Sequence, residues 1–298
     1  MKQRLSKYKR PLGYVLYGIF LTIAILYFRF PSDALREYVQ TTAQRAGPRF
    51  LLSIRDLRPY LPFGVEFLEA EFASKKTPDT NLFKAESLLV RPMIWSFLQG
   101  RPGYYFDCLA YDGALRGSFI FAKETMKAPF TASVKLKDIS IDHYDFLTAL
   151  IGRSIKGTME GSVMYTGQSN LFAEGTGEAN VRIADGKFDL VLPVLTLGSI
   201  DFSELLIRLA LEKQELALSR VELKGRDIKG TLSGSIGLKK EFFESDLDIM
   251  GMIEPLASFA GGLKGALGSN PFIERLLKKG GLRFSIQGTL TDPEFKLL

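Results

Sequence analysis

Leu282-Arg283-Phe284-Ser285-Ile286 alternates apolar with polar side chains and leads into Gly288-Thr289-Leu290-Thr291-Asp292-Pro293. A period of two puts Leu282, Phe284 and Ile286 on one face and Arg283 and Ser285 on the other, the mark of a strand with one buried and one solvated side. The glycine and proline that follow punctuate its end. The same alternation recurs in Val134-Lys135-Leu136-Lys137, Val181-Arg182-Ile183, Leu216-Ala217-Leu218 and Leu247-Asp248-Ile249. Asp246 and Asp248 belong to this pattern, two apart on the wet side of a strand. The fold class read from it is mainly β with a few short helices: an elongated, curved, mostly antiparallel sheet.

A five-residue unit punctuates these strands: Gly113-Ala114-Leu115-Arg116-Gly117, Gly157-Thr158-Met159-Glu160-Gly161 and Gly230-Thr231-Leu232-Ser233-Gly234. Glycines four apart share a strand face and remove bulk there, which lets a sheet twist and curve. The copies start at 113, 157 and 230, with the related unit at 288, so no fixed-period solenoid is implied. Helices are expected over Tyr144–Ile151, over Asp201–Lys213, where Leu205, Leu206, Leu209 and Ala210 have helical spacing, and over Pro271–Lys279.

The chain has 298 residues, with 39 Lys+Arg against 33 Asp+Glu. Five of the basic residues (Lys2, Arg4, Lys7, Lys9, Arg10) lie in the first ten positions, so the remainder is nearly neutral and offers no basic face for nucleic acid. From Leu12 to Phe28 runs LGYVLYGIFLTIAILYF, 17 uncharged residues, just enough at about 1.5 Å each to cross a hydrocarbon core. The basic cluster before it keeps the N-terminus cytoplasmic by the positive-inside rule, and Tyr14, Tyr17 and Tyr27 suit the interfaces. A cleaved signal peptide would have a shorter apolar run; only Ser32-Asp33-Ala34 offers small residues for cleavage, set apart by Arg29 and Pro31. The chain thus divides into a cytoplasmic tail and anchor (1–30), an amphipathic linker helix (31–48) opening at Ser32 and stopped by Gly47-Pro48, and a β-rich domain (49–298) that is periplasmic in a bacterium. The helix, with Leu35, Tyr38 and Val39 on one stripe, is expected to plug one end of the domain.

One Cys and one His exclude disulfides, cysteine–zinc clusters and paired-histidine metal sites within the chain. Cys108, in Tyr104-Tyr105-Phe106-Asp107-Cys108-Leu109, reads as a small buried hydrophobe. His143, between Asp142 and Asp145, reads as a solvated cluster at a helix mouth, and no serine sits in a GxSxG elbow. Gly261-Gly262-Leu263-Lys264-Gly265-Ala266-Leu267-Gly268 lacks the context of a phosphate-binding fingerprint and reads as a loop. No catalytic, cofactor-binding or metal-binding residue is assigned, and the chain is not expected to be an enzyme.

The segment Phe83 to Arg91-Pro92 and on through Trp95 to Gly100-Arg101, followed by an apolar strand and Asp112-Gly113-Ala114-Leu115-Arg116-Gly117, resembles the AsmA-like inner-membrane proteins. With the single anchor and the terminal Gly288-Thr289-Leu290-Thr291-Asp292-Pro293-Glu294-Phe295, it is most similar within them to the protein N family of bacterial type II secretion systems, in its longer form. The resemblance implies a bitopic protein held in the inner membrane by residues 12–28, whose periplasmic sheet contacts other secretion-system subunits. The alternative it implies is a lipid-binding or lipid-transfer module with acyl chains in an apolar groove. The two readings part on whether the apolar faces form a filled core or an open channel, a question alternation leaves open. For the anchor, replacing Ile19 and Leu21 with Arg should release the chain from carbonate-washed membranes, because each charge at mid-bilayer costs about 2.5–3.5 kcal/mol.

Overall fold

A computed structural model describes residues 13–15, 17, 18, 21, 22, 24, 25, 27–46, 50–75, 77–123, 128–144, 155–168, 171–194, 197–239, 241, 244–256 and 281–298. Helix α1 (Ser32–Ala46) leads into fourteen strands: β1 (Phe50–Tyr60), β2 (Gly64–Ser74), β3 (Thr77–Pro92), β4 (Gly103–Ala110), β5 (Gly113–Phe121), β6 (Phe130–Ser140) and β7 (Ile155–Gly167). These are followed by β8 (Thr176–Val194), β9 (Leu197–Glu212), β10 (Glu215–Gly225), β11 (Ile228–Gly237), β12 (Asp246–Pro255), β13 (Leu282–Thr289) and β14 (Pro293–Leu297). A five-residue helix α2 (Ile94–Leu98) lies between β3 and β4, and single 3₁₀ turns follow β6 and β7. All fourteen strands form one open, curved sheet in chain order, each antiparallel to the next. The fold is a meander in which every strand is paired by its sequence neighbours.

The helix expected over Asp201–Lys213 is a strand. Leu205, Leu206, Leu209 and Ala210 have helical spacing, but Leu205, Ile207, Leu209 and Leu211 also form a period-two row. Pairing decides between the two: β9 is hydrogen-bonded to β8 on one side and to β10 on the other. The tight turn at Lys213-Gln214, with φ of 51° and 66° at its two central residues, closes the β9–β10 hairpin. Tyr144 is described outside any helix, while 145–151, Pro271–Lys279 and the 261–268 loop lie outside the described residues, as do Gly47 and Pro48. Of the expected anchor, the described positions between 13 and 28 are helical. Among the described residues no helix is long and apolar enough to cross a membrane.

Helix α1 lies along β1. Its Arg36 donates to the Arg55 carbonyl at 2.8 Å and pairs with Asp33 at 2.9 Å, while Val39 packs into a core formed by Ile54, Ala70, Ala85, Cys108 and Ala110. Phe67, Phe83, Leu88 and Phe106 complete this cluster. The helix therefore closes the β1–β5 end of the sheet.

Curvature comes from bulges and from glycines pressed on neighbouring backbone. Asp138 and Asp185 sit at positive φ (54° and 50°) where the β6–β7 and β7–β8 registers slip. A Cβ on Gly117, Gly161 or Gly234 would lie 2.1, 2.4 or 2.1 Å from the carbonyl of Ser133, Asn180 or Asp248 on the adjacent strand. Gly230 differs from its partner Gly234, since a Cβ there meets Leu223 at 3.5 Å and the Met252 carbonyl at 3.9 Å, both ordinary contacts, so the two glycines of that unit are not equivalent. Gly234→Ala should destabilise the protein by about 1–3 kcal/mol in urea unfolding, through overpacking at a φ of +139°. Gly230→Ala should leave the midpoint nearly unchanged; equal effects would reject this account of the curvature.

Candidate functional site: an apolar track along the sheet

The pairing register aligns one residue from each strand into rows that cross the whole sheet. One row comprises Leu57, Phe67, Leu88, Cys108, Leu115, Leu136 and Gly161 on β1 to β7. It continues with Val181, Ile207, Val221, Leu232, Gly251, Phe284 and Leu297 on β8 to β14. The neighbouring row on the same face comprises Pro59, Val65, Val90, Phe106, Gly117, Val134 and Val163. It then takes Ala179, Leu209, Leu218, Gly234, Ile249, Ile286 and Phe295. No member of either row has a polar side chain. Thirteen interstrand steps at about 4.8 Å give an unbroken apolar track of about 60 Å.

The opposite face carries the charge. Asp107 on β4 pairs with Arg91 on β3 at 2.6 Å and Arg116 on β5 at 3.2 Å. Glu204 on β9 pairs with Arg182 on β8 at 2.7 Å and Lys224 on β10 at 2.5 Å, and hydrogen bonds from Lys224 and Arg182 hold its carboxyl below the usual carboxylate range. Such cross-strand pairs are screened and individually weak, but they oppose a register slip that would turn the apolar rows outward.

Where the track is covered differs along its length. Under α1, Leu57 and Cys108 are buried. Further along, Val134, Leu136, Val163, Val181, Ile207, Leu209 and Leu218 are only half-buried by the described residues, whereas Val221, Ile249 and Phe284 are buried. A groove of about 740 Å³ lies on this middle section, over β7 to β10, and is lined by Val163, Tyr165, Ala179, Leu209, Leu211 and Leu216. Its volume is that of a small-molecule site. The turn Leu171–Phe172 forms one wall, where Phe172 stacks on Tyr165 (centroids 4.4 Å apart, 15° between planes) and the Tyr165 hydroxyl donates to the Phe172 carbonyl at 3.0 Å. Glu174, Glu178, Gln214 and Lys239 supply the polar rim.

Aromatic rings occupy the space that glycines vacate across strands. Phe106 is paired with Gly117, Tyr165 with Gly177, Phe202 with Gly186 and Phe284 with Gly251. A Cβ on Gly186 would lie 2.0 Å from the Phe202 ring, and one on Gly251 2.3 Å from that of Phe284. The ring substitutes for the missing side chain and keeps the row apolar where the backbone must bend.

The other residues singled out by sequence lie elsewhere. His143 is exposed and pairs through Nδ1 with Asp112 at 2.7 Å, while Asp142 accepts the Gly157 N–H at 3.0 Å, so this cluster holds a turn at the sheet edge. Asp246 and Asp248 are exposed on the charged face, Asp246 paired with Lys239 at 2.6 Å. No group of three or more metal-ligating side chains occurs among the described residues. No family model matches the chain, nor does any curated protein or solved structure.

Cys108 is 3% exposed, and burial pushes its thiol up to about 11 from 9.0. It should resist maleimide until the protein unfolds. Between pH 9 and about 11 the folded state keeps a proton that the unfolded state releases, so stability falls as pH rises through that window. Burial raises Tyr144 and Tyr165 in the same direction. Cys108→Ala should therefore make the alkaline fall in urea midpoint shallower without abolishing it, and rapid labelling of the folded protein would contradict this placement.

Proposed function

We propose that this chain is an inner-membrane-anchored periplasmic protein that holds lipid acyl chains along the apolar track. The observation that carries the reading is the pair of adjacent rows without a polar side chain on any of fourteen strands. A filled core needs a second layer to cover such a face; among the described residues a helix lies on it only at α1, and of the rows beyond β5 only Val221, Ile249 and Phe284 are buried. An apolar surface of this length, rimmed by charge, fits a ligand that is itself long and apolar. The anchor at 12–28 would hold the β1 end of the track at a bilayer, the source of such chains. The ligand class is the acyl portion of a phospholipid or lipopolysaccharide, and no step requires catalysis.

A second reading, an accessory subunit of a type II secretion system acting by protein–protein contact, is favoured by the β14 edge, on which no further described strand pairs. Strand β14 ends the sheet with every residue exposed, Phe295 and Leu297 included, and an incoming strand could extend both rows through backbone hydrogen bonds. Resemblance in the 83–117 segment supports the same reading.

A photoreactive benzoylphenylalanine at Leu218 should capture phospholipid or lipopolysaccharide in intact cells. Leu209→Asp should reduce that capture at least tenfold while leaving the folded protein's circular dichroism unchanged. Cells lacking the chain should become sensitive to detergent while secreting exoproteins normally. Lost exoproteins with an intact outer-membrane barrier, and no lipid captured at Leu218, would reject the lipid reading in favour of the secretion subunit.

A further inference from the structure

The sheet has two long edges where its hairpins turn. At the edge where β1 runs into β2 and β3 into β4, large apolar residues stand in solvent: Leu61 and Phe63 in the first turn (51% and 59% exposed), and Trp95 and Leu98 on α2 (78% and 73%). The two groups are neighbours. Val65 pairs with Val90, and Gly64 packs against the Arg91 side chain, so the β1–β2 turn sits beside the start of the β3–β4 connection. Over residues 59–65 and 91–106 there is no acidic residue; Arg101 supplies positive charge there, while Arg91 is paired with Asp107 at 2.6 Å.

The position of α1 gives this edge a direction. Only three residues of sequence separate the end of α1 at Ala46 from the start of β1 at Phe50, while Arg36, ten residues back along the helix, donates to the Arg55 carbonyl five residues on in the strand. Helix numbering therefore rises as strand numbering falls, and the two elements are antiparallel. At about 1.5 Å per residue Ser32 lies about 6 Å beyond Arg36, toward the Tyr60 end of β1. The chain thus leaves its apolar N-terminal segment on the same side as the Leu61 and Trp95 turns.

We infer that this edge is a second membrane contact: Leu61, Phe63, Trp95 and Leu98 enter the interface of the bilayer that holds the anchor, with Arg101 facing anionic headgroups. This rests on the anchor reading given above. Trp and other large apolar side chains on short turns, flanked by arginine and free of acid, suit the boundary between headgroups and acyl chains. Two separated contacts fix the tilt of the sheet against the membrane, which a single flexible anchor does not. The β1 end of the track would then face the outer leaflet of that bilayer.

Trp95 is the one tryptophan in the chain, so its fluorescence reports this edge alone. The full-length protein, reconstituted in phosphatidylethanolamine–phosphatidylglycerol vesicles, should show blue-shifted Trp95 emission. Phospholipids brominated high on the acyl chain should quench it at least twofold, and aqueous acrylamide should quench it less than in detergent. Leu61→Asp with Leu98→Asp should remove the bromolipid quenching while membrane association in carbonate and the urea midpoint stay unchanged. Unquenched Trp95 in a carbonate-resistant chain overturns the edge contact alone. Quenched Trp95 in a carbonate-extractable chain supports the edge and rejects the anchor, and loss of both rejects both. Trp95 protected in native membranes but exposed in lipid vesicles would overturn the lipid contact and assign the edge to a protein partner.

Discussion

Everything in this protein rests on the register of antiparallel strand pairing. The sheet is a single layer in chain order, so no distant segment can correct a mispaired strand, and each strand is held by the two beside it. In such a meander the side-chain period of two is a constraint on the whole molecule, because one residue of slip in any strand would interrupt both apolar rows. The sequence meets this with devices on both faces. Ion-pair ladders such as Arg182–Glu204–Lys224 oppose slip on the charged side, and aromatic–glycine pairs such as Phe284 with Gly251 lock position on the apolar side. Nearest-neighbour organisation of this kind resembles that of repeat proteins, in which stability is a sum of local terms.

The same constraint explains the glycines. A single layer that curves needs strands to approach closely at chosen points, and at Gly117, Gly161 and Gly234 the neighbouring carbonyl stands where a Cβ would be. Removing side chains would leave holes in an apolar track. Phe106 fills one such hole over Gly117 and Phe284 another over Gly251. Curvature and apolar continuity are thus reconciled by pairing the smallest residue with one of the largest.

Much of this was legible in the sequence, and what was not has a physical cause. The mainly β class followed from the alternation in stretches such as Leu282–Ile286, because a one-sided sheet imposes a strict period. Cys108 among aromatic residues read correctly as a buried hydrophobe. The segment 201–213 misled because a strand rich in leucine on both faces satisfies helical spacing as well; Leu206 and Ala210 face the charged side, and only the hairpin turn at Lys213-Gln214 settles the period. The glycine units identified curvature but not which glycine bears it, since Gly230 and Gly234 look alike until their neighbours are known. The apolar rows were not legible as rows, because a row takes one residue from each strand and exists only once the register is fixed.

A layer that the described residues leave partly uncovered is costly in water, and the cost differs along the sheet. Where α1 lies over β1 to β5 the face is filled in the ordinary way, with small residues Ala70, Ala85 and Ala110 letting helix and sheet come together. Beyond that cluster the rows carry mainly Val, Leu and Ile, and a groove lies on them over β7 to β10. A chain selected only for stability would extend the helical cover or shorten the sheet. The rows stay apolar to the last strand, where Phe295 and Leu297 remain more than half exposed, and this is the feature that the proposed lipid reading uses. In the proposed reading an acyl chain would cover the face along its whole length. A protein partner at the β14 edge would account for the last strands but not for the middle of the track.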